Sequence, residues 1–335
     1  MDILTQALTG ALTAQCAAKQ QQMKLATVIG LVAGVIADLD VLIASRQDPL
    51  LMLEYHRHFT HSVFFIPFGA LLAALLLWPI LRKHLGFAQI YGFSLLGYLF
   101  SGFIDACTSY GTHLFWPLYP EAVAFHIIAI IDPLFTLILL LSMLLALRRK
   151  NPLIARTGLG LAGLYLLFGW YQMYSATQVS VQLAEQRGHQ PAALLVKPTL
   201  GNLLLWRSVY RYQDHYYVDA VRVSPFSEDH IYPGDMVKRF DVQALLQTLP
   251  EDSVLAGDLR RFREFSKDYL AVTPAQANFL IDVRYSMLPN SSAPLWGIEF
   301  DALQPDQHAR YQITRDGGQQ VRQRFVDMLM GREVD

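Results

Sequence analysis

The stretch VFFIPFGALLAALLLWPIL, residues 63–81, contains no charged side chain and consists mainly of leucine, alanine, phenylalanine and isoleucine. At a rise of about 1.5 Å per residue, a helix of this length covers roughly 28 Å. The hydrocarbon core of a bilayer is about 30 Å thick. The stretch therefore predicts a membrane-spanning helix, and it decides the fold class of the front of the chain.

Other apolar stretches predict further spans. Residues 25–44, 88–107 and 125–147 are long enough, whereas 157–175 is diluted by four glycines. Residues 3–18 are shorter but uncharged. They predict either a short span among other helices or a helix on the membrane surface. We therefore expect an α-helical membrane domain of five to six transmembrane helices.

The second half of the chain has a different composition. Hydrophobic residues make up 53% of the whole chain and charged residues 16%, against about 25% charged in an ordinary soluble domain. Residues 1–147 hold only eight of the 28 acidic and six of the 27 basic side chains. We expect the membrane domain to occupy residues 1–175 and a small extramembrane α+β domain to occupy residues 176–335.

Short alternating runs in the second domain predict antiparallel strands. The first two, 203–212 and 216–223, flank a turn at residues 213–215. We expect a helix to continue from the last membrane segment to about residue 187, a second helix over 260–269, and strands over 279–287 and 295–300.

Basic residues are concentrated in alternate loops between the apolar stretches. Lys19 and Lys24, then Arg82 and Lys83, and then residues 148–156 carry most of them. Loops rich in lysine and arginine stay in the cytoplasm. The pattern predicts a multi-pass inner-membrane protein whose remaining loops and C-terminal domain are extracytoplasmic.

Charge and cysteine content exclude two classes of site. The net charge is −1, so no basic field favours nucleic acid, and the lipid bilayer is the expected partner. The two cysteines, Cys16 and Cys107, are too few for a zinc ribbon.

A histidine cluster lies just before the stretch quoted first. The run HRHFTHS, residues 56–62, places His56 and His61 near one membrane face. Neutral imidazole is a common zinc ligand, and the two rings can converge if the segment turns into a helix capped by Thr60 or Ser62. The alternative is a solvated interfacial cluster.

Carboxylates close neighbouring apolar stretches at the same face. Asp38 and Asp40 are two residues apart, so both can reach one cation, and acids at a helix C-terminus oppose the helix dipole. Asp105 ends another apolar stretch. Asp132 either supports a ligand histidine or is a locally paired residue at the helix kink beside Pro133.

Together these groups predict a divalent metal site with hydrolytic chemistry. Carboxylates and imidazoles without thiolates suit zinc, with manganese or iron as alternatives. A metal ion acidifies its bound water, and a spare carboxylate can act as general base. We assign catalysis to Asp38, with Asp132 and Thr60 in support.

Several short motifs occur in a characteristic order. They are MDILTQ at residues 1–6, Asp38-Leu39-Asp40, HRHFTHS, and DACTSYGTHLFWPL at residues 105–118. In this series the chain resembles the YdjM-like family of inner-membrane proteins over about residues 1–145. The resemblance implies a metal-dependent hydrolase, and it implies these metal ligands: Asp38, Asp40, His56, His61 and Asp105.

Two positions depart from the family pattern. Gln6 stands where many members have histidine, and Ser101 and Gly102 occupy the region where many have another. Remote similarity of the family to zinc-dependent phospholipase C implies a phosphodiester substrate, such as a lipid headgroup. A non-catalytic membrane scaffold or regulatory protein with a degenerate metal site is the first alternative. A transporter or proton relay, which requires carboxylates near the bilayer centre, is the second.

Overall fold

The computed structural model describes residues 1–45, 47–273, 276–315 and 317–334. The chain divides into two units. Unit 1 comprises Met1–Ile43, Tyr55–Tyr171 and Leu200–Leu203, and unit 2 comprises Ala44–Glu54, Gln172–Thr199 and Leu204–Asp335. The chain thus leaves unit 1 after Ile43 and returns to it at Tyr55.

Unit 1 is helical, as predicted. Its helices are α1 (Ile3–Cys16), α2 (Met23–Val35), α4 (Ile66–Leu81), α5 (Phe87–Tyr98), α6 (Ser101–Ala106), α7 (Pro133–Arg149) and the first part of α8 (Pro152–Gln186). The short helix α3 (Leu51–Tyr55) ends where the chain re-enters the unit. Short 3-10 turns at Ala37–Leu42 and Phe59–His61 follow α2 and α3.

Glycines allow α1, α2 and α5 to pack closely. A Cβ added to Gly30 would meet the carbonyl oxygen of Gly10, and one added to Gly97 would meet the backbone of Gly30. Small residues at such contacts are typical of helix pairs in membranes, where close backbone approach supplies the packing energy. The three helices pack closely together, and α2 leads directly into one of the turns of the site described below.

Several helices meet the length and composition of a membrane span. Three stretches do so individually: Gln20–Leu42, Phe87–Ala106 and Pro152–Gln186. A fourth candidate consists of two helical stretches, Leu51–His61 and Ile66–Leu81, which meet the criteria only together and are bent by 91° relative to each other. The described helices therefore provide three spans, or four if the bent pair counts as one. The predicted five to six are not confirmed, because α1 and α7 have only 14 and 17 residues.

Apolar side chains cover the outer surface of these helices. On α8, for example, Leu161, Leu164 and Leu167 are 49%, 62% and 65% exposed. Contiguous apolar surface of this kind is unfavourable in water and favourable against lipid chains. The surface agrees with a bilayer environment for unit 1.

Unit 2 contains two antiparallel sheets and short helices. The first sheet contains β1 (Ala193–Pro198), β2 (Leu205–Tyr212), β3 (His215–Arg222), β4 (His230–Tyr232) and β5 (Met236–Lys238), in the order β1-β2-β3-β4 with β5 also pairing with β3. The second sheet has the order β6 (Leu270–Thr273), β7 (Gln276–Asp282), β8 (Trp296–Glu299) and β9 (Arg310–Ile313). The helices are α9 (Val242–Leu246), α10 (Val254–Phe265) and α11 (Gln319–Leu329).

The predicted β-hairpin and the helix predicted over 260–269 are both present, but their first and last residues differ from the prediction. Strands β2 and β3 pair up to Tyr212 and His215 around a two-residue turn in which Gln213 has φ 52°, as tight hairpins require. Helix α10 starts at Val254 because the Ser253 side chain accepts a hydrogen bond from the Ala256 amide. Its apolar face packs against β6, β7 and β8 in one core.

Candidate metal centre

The first two carboxylates lie where α2 changes into the 3-10 turn Ala37–Leu42. This turn carries Asp38 and Asp40, which are only 7% and 2% exposed. A helix C-terminus offers carbonyl oxygens rather than amides, so it cannot neutralise these acids. Their charge must be balanced by groups from other elements.

The turn Phe59–His61 carries the histidine that meets them. His61 is 1% exposed. The hydroxyl of Tyr98 on α5 donates to the carbonyl of Thr60 at 2.5 Å, which holds this turn. Gly102 on α6 lies directly against the carbonyl of His61, where a Cβ would collide with it.

Three side chains converge at this point. Nε2 of His61 lies 2.9 Å from Oδ2 of Asp105 and 3.3 Å from Oδ1 of Asp38. One donor atom from each of the three residues lies within 4.8 Å of the other two. Asp105, on α6, is completely buried. The structure therefore brings together one imidazole and two carboxylates from three elements that are distant in sequence.

Several atoms of this group make no hydrogen bond within the described part of the chain, although ion-pair contacts surround Asp105. The atoms without a hydrogen bond are Oδ2 of Asp38, both carboxylate oxygens of Asp105 and Nε2 of His61. Leaving buried polar atoms without a hydrogen bond is costly. A divalent cation bound to these atoms would remove that cost, so the residues fit a metal ion.

Asp40 lies on the other side of the histidine ring. Its Oδ2 is 3.3 Å from Nδ1 of His61. The same carboxylate accepts hydrogen bonds from Nδ1 of His56 at 2.8 Å, the Arg57 amide at 2.8 Å and the Thr60 hydroxyl at 2.9 Å. A carboxylate bound to the far nitrogen of a ligand histidine sets its orientation and tautomer. The structure thus places Asp40, His56 and Thr60 behind His61, outside the group of three.

Asp132 occupies a different position. Its carboxylate accepts hydrogen bonds from the Phe135 amide at 3.0 Å and from the Tyr165 hydroxyl at 2.9 and 3.0 Å. It is the N-cap of α7. Of the two sequence interpretations, these contacts correspond to the locally paired residue, and support for a ligand histidine remains a prediction.

Arg57 is a site residue for which sequence reasoning had proposed no role. Its Nη2 lies 3.2 Å from Oδ1 of Asp105, and its Nη1 donates to the Thr108 hydroxyl at 3.0 Å. It is 2% exposed and has φ 62°. The amino group of Met1 also forms an ion pair with Oδ1 of Asp105. The sequence offered no distinct signal for this role, since basic residues that flank predicted spans are common.

Comparison with known protein families gives a match over the first half of the chain. The model of the YdjM inner membrane protein family matches residues 1–176. The chain belongs to this family. The match contains Asp38, His61 and Asp105 of the candidate metal centre and supports a membrane location. No curated protein and no solved structure gives a match.

Gln6 and the region of Ser101 and Gly102, where the resemblance implied histidines in other members, contact one another in the structure. The Gln6 amide donates to the carbonyl of Ser101 at 3.1 Å, so it links α1 to α6. Within the region of Ser101 and Gly102, a side chain at residue 102 would meet the carbonyl oxygen of His61. A histidine at residue 102 would displace His61.

Proposed function

We propose that this chain is a membrane-bound, metal-dependent hydrolase that acts on a phosphodiester or related ester at the extracytoplasmic membrane face. The observation that carries the proposal is the buried group of Asp38, His61 and Asp105, in which several oxygen and nitrogen atoms make no hydrogen bond among the described residues. Three protein ligands are typical of catalytic metal sites, which keep a further position open.

The donor set supports a metal that accepts both oxygen and nitrogen. Two carboxylates and one imidazole suit zinc first, and also manganese or iron. When bound, such an ion acidifies water and polarises a phosphoryl or carbonyl oxygen. Asp40 and Thr60 hold His61 with Nε2 directed at the two carboxylates. These residues therefore fix the ligand geometry before any substrate arrives.

The remaining groups supply proton transfer and charge stabilisation. Asp38 faces His61 through Oδ1, and its Oδ2 is left to accept the proton of the attacking water. The guanidinium of Arg57, beside Asp105, stabilises negative charge that develops on the substrate. A cation here favours an anionic phosphodiester over a neutral ester. In this proposal Asp132 caps α7 and takes no part in the reaction.

The location follows from charge distribution. We place the metal centre and unit 2 outside the cytoplasm, because the basic loops follow the opposite ends of the predicted spans. The proposal also treats α1 and α7 as short additional spans within the helical bundle, which gives the count of five to six.

A second function has a specific observation in its favour. Gln6 occupies the place of a histidine and bonds to a backbone carbonyl, which favours a scaffold or regulatory protein with a degenerate metal site. Such a protein would bind metal without hydrolysing any ester.

One experiment separates these functions. Detergent-purified protein is stripped with a chelator and reloaded with zinc or manganese. Hydrolysis of bis(p-nitrophenyl) phosphate and p-nitrophenyl acetate is then compared for the wild type, Asp38→Asn and the exposed control Glu121→Gln. Metal-dependent turnover of the diester that is lost only in Asp38→Asn supports the hydrolase. Bound metal without turnover supports the scaffold, and no metal binding overturns both.

A further inference from the structure

The two ligand-bearing turns of unit 1 are joined by a segment that folds as part of unit 2. Asp38 and Asp40 precede the segment Ala44–Glu54, and His56 and His61 follow it. A flexible connection would leave the spacing of the two turns unrestrained, at a cost in conformational entropy when they come together. Anchoring this segment therefore restrains the spacing of the two turns that carry the candidate ligands, because the segment connects them along the chain.

An apolar anchor holds the middle of the segment. Leu50 is 1% exposed and belongs to the same core as Leu255 and Leu259 of α10. Leu53 packs against this core as well. Burial of these two side chains ties the segment to α10 by the hydrophobic effect.

A single guanidinium, that of Arg261, contacts the segment on both sides of Leu50. Nη1 of Arg261 lies 2.7 Å from Oδ2 of Asp48, and Nη2 lies 3.0 Å from Oδ1 of the same residue. Nη1 also lies 3.3 Å from Oε2 of Glu54. Burial opposes ionisation of Asp48, but hydrogen bonds from Arg261 and the Leu50 amide hold its pKa below the usual value. A bidentate arginine–carboxylate pair is both strong and geometrically specific.

The acidic groups around Arg261 are balanced by its guanidinium and do not require a metal ion. Asp48, Asp258 and His308 have donor atoms within 4.8 Å of one another. Nη2 of Arg261, however, lies 2.5 Å from Oδ1 of Asp258, whose Oδ2 accepts from the Ala309 amide at 2.9 Å. A cation would have to displace the guanidinium, so the geometry favours an ion-pair anchor.

We propose that Arg261 is a positioning residue for the metal centre: by holding Asp48 and Glu54 it restrains the connection between the Asp38–Asp40 turn and the His56–His61 turn. This inference rests on the proposed metal site. It makes the affinity for metal depend on a side chain in unit 2 that takes no part in coordination. Loss of the anchor raises the entropy of the metal-free chain and weakens binding without removing any ligand.

The test compares two arginines on the same helix. Arg261→Gln removes the anchor, and Arg263→Gln removes a guanidinium that pairs with Asp268 at 3.0 Å. The zinc dissociation constant of the full chain in detergent is expected to rise about tenfold in Arg261→Gln, as for other groups that support ligands, and to stay near the wild-type value in Arg263→Gln. Asp48→Asn provides a second variant that leaves the Arg261–Asp258 pair in place.

Hydrogen exchange of the metal-free protein supplies a readout that does not depend on metal. Amides of residues 55–61 are expected to exchange faster in Arg261→Gln and Asp48→Asn than in Arg263→Gln. Equal exchange in all three variants overturns the inference. If the wild-type protein takes up no zinc, the proposed function is refuted. The hydrogen-exchange result then tests by itself whether Arg261 restrains residues 55–61.

Discussion

Nδ1 of His61 lies 3.3 Å from Oδ2 of Asp40, while Nε2 of the same ring lies 2.9 Å from Oδ2 of Asp105. One histidine thus separates a carboxylate that orients the ring from a carboxylate that can bind metal with it. Asp38 and Asp40 are two residues apart, yet the ring places them in different roles. This division of roles leads to different expectations for their variants.

Asp105→Asn is expected to abolish metal binding. Asparagine has nearly the same shape but lacks the charge that balances a divalent cation, and Asp105 is fully buried. Elemental analysis should show a fall from about one ion per chain to near none, as expected when one of three protein ligands is lost. Full metal content in a correctly folded variant would exclude Asp105 as a ligand. Glu121→Gln, an exposed carboxylate change in the same unit, serves as the control.

Asp40→Asn is expected to weaken metal binding without abolishing it. The variant keeps the three ligands but loses the charge that orients His61, and such changes reduce affinity roughly 10- to 100-fold. Titration with zinc should reach the same stoichiometry as the wild type at a higher dissociation constant. Complete loss of binding at saturating zinc would instead make Asp40 a direct ligand, as the sequence alone had predicted.

Gly102→Ala is expected to disturb the metal centre through the backbone. Its Cβ would collide with the carbonyl of His61, so the turn must move or the helix must shift, at a cost of about 1–3 kcal/mol. Thermal unfolding in detergent should occur at a lower temperature, and zinc affinity should fall. Gly92→Ala is the matched control, because a Cβ there meets nothing within 4 Å. Equal effects of the two substitutions would refute the close-contact argument.

The role of Asp132 can be separated from metal binding. Asp132→Ala removes the N-cap of α7 and should destabilise the protein by about 0.5–2 kcal/mol, while its metal content stays at the wild-type level. Asp132→Asn keeps an oxygen acceptor for the Phe135 amide and should be less destabilised. Loss of metal in both variants would instead support the predicted contribution of Asp132 to the site.

Membrane orientation can be tested with single cysteines after Cys16 and Cys107 are replaced by serine. Asp306→Cys in unit 2 should react with a membrane-impermeant maleimide in intact cells, where the outer membrane has been made permeable. Lys83→Cys, in a basic loop, should react only after the inner membrane is disrupted. Both positions are exposed. The reverse pattern would place the metal centre and unit 2 in the cytoplasm.

Much of the local structure could be predicted from the residues themselves. The uncharged stretch at 63–81 became α4, and the alternating runs around Gln213 became the β2–β3 hairpin. The number of spans could not be predicted in the same way. The apolar stretches are longer than the helices they form, since Val63 precedes α4. In addition, the bend between Leu51–His61 and Ile66–Leu81 divides one apolar length between two helix axes.

The residue types that form the candidate metal centre could also be predicted from sequence. Histidine and aspartate at the ends of apolar stretches pointed to Asp38, His61 and Asp105. The sequence could not show which nitrogen of His61 faces which carboxylate, since that depends on the χ angles and on Tyr98 and Gly102 behind the turn. It gave no indication that Leu50 and Asp48 would fold with unit 2, because that contact requires α10.

The sequence by itself determined that the front of the chain is helical and membrane-like, that the second half contains antiparallel strands, and which residue types could bind a cation. These properties depend on hydrophobic length, periodicity and the chemistry of single residues. Only the tertiary structure decided that Asp105 joins His61 while Asp40 stands behind the ring, that Arg57 enters the site, and that Arg261 holds the connecting segment. The physical reason is that each of these contacts joins residues from different elements, and their distance is set by packing rather than by spacing along the chain.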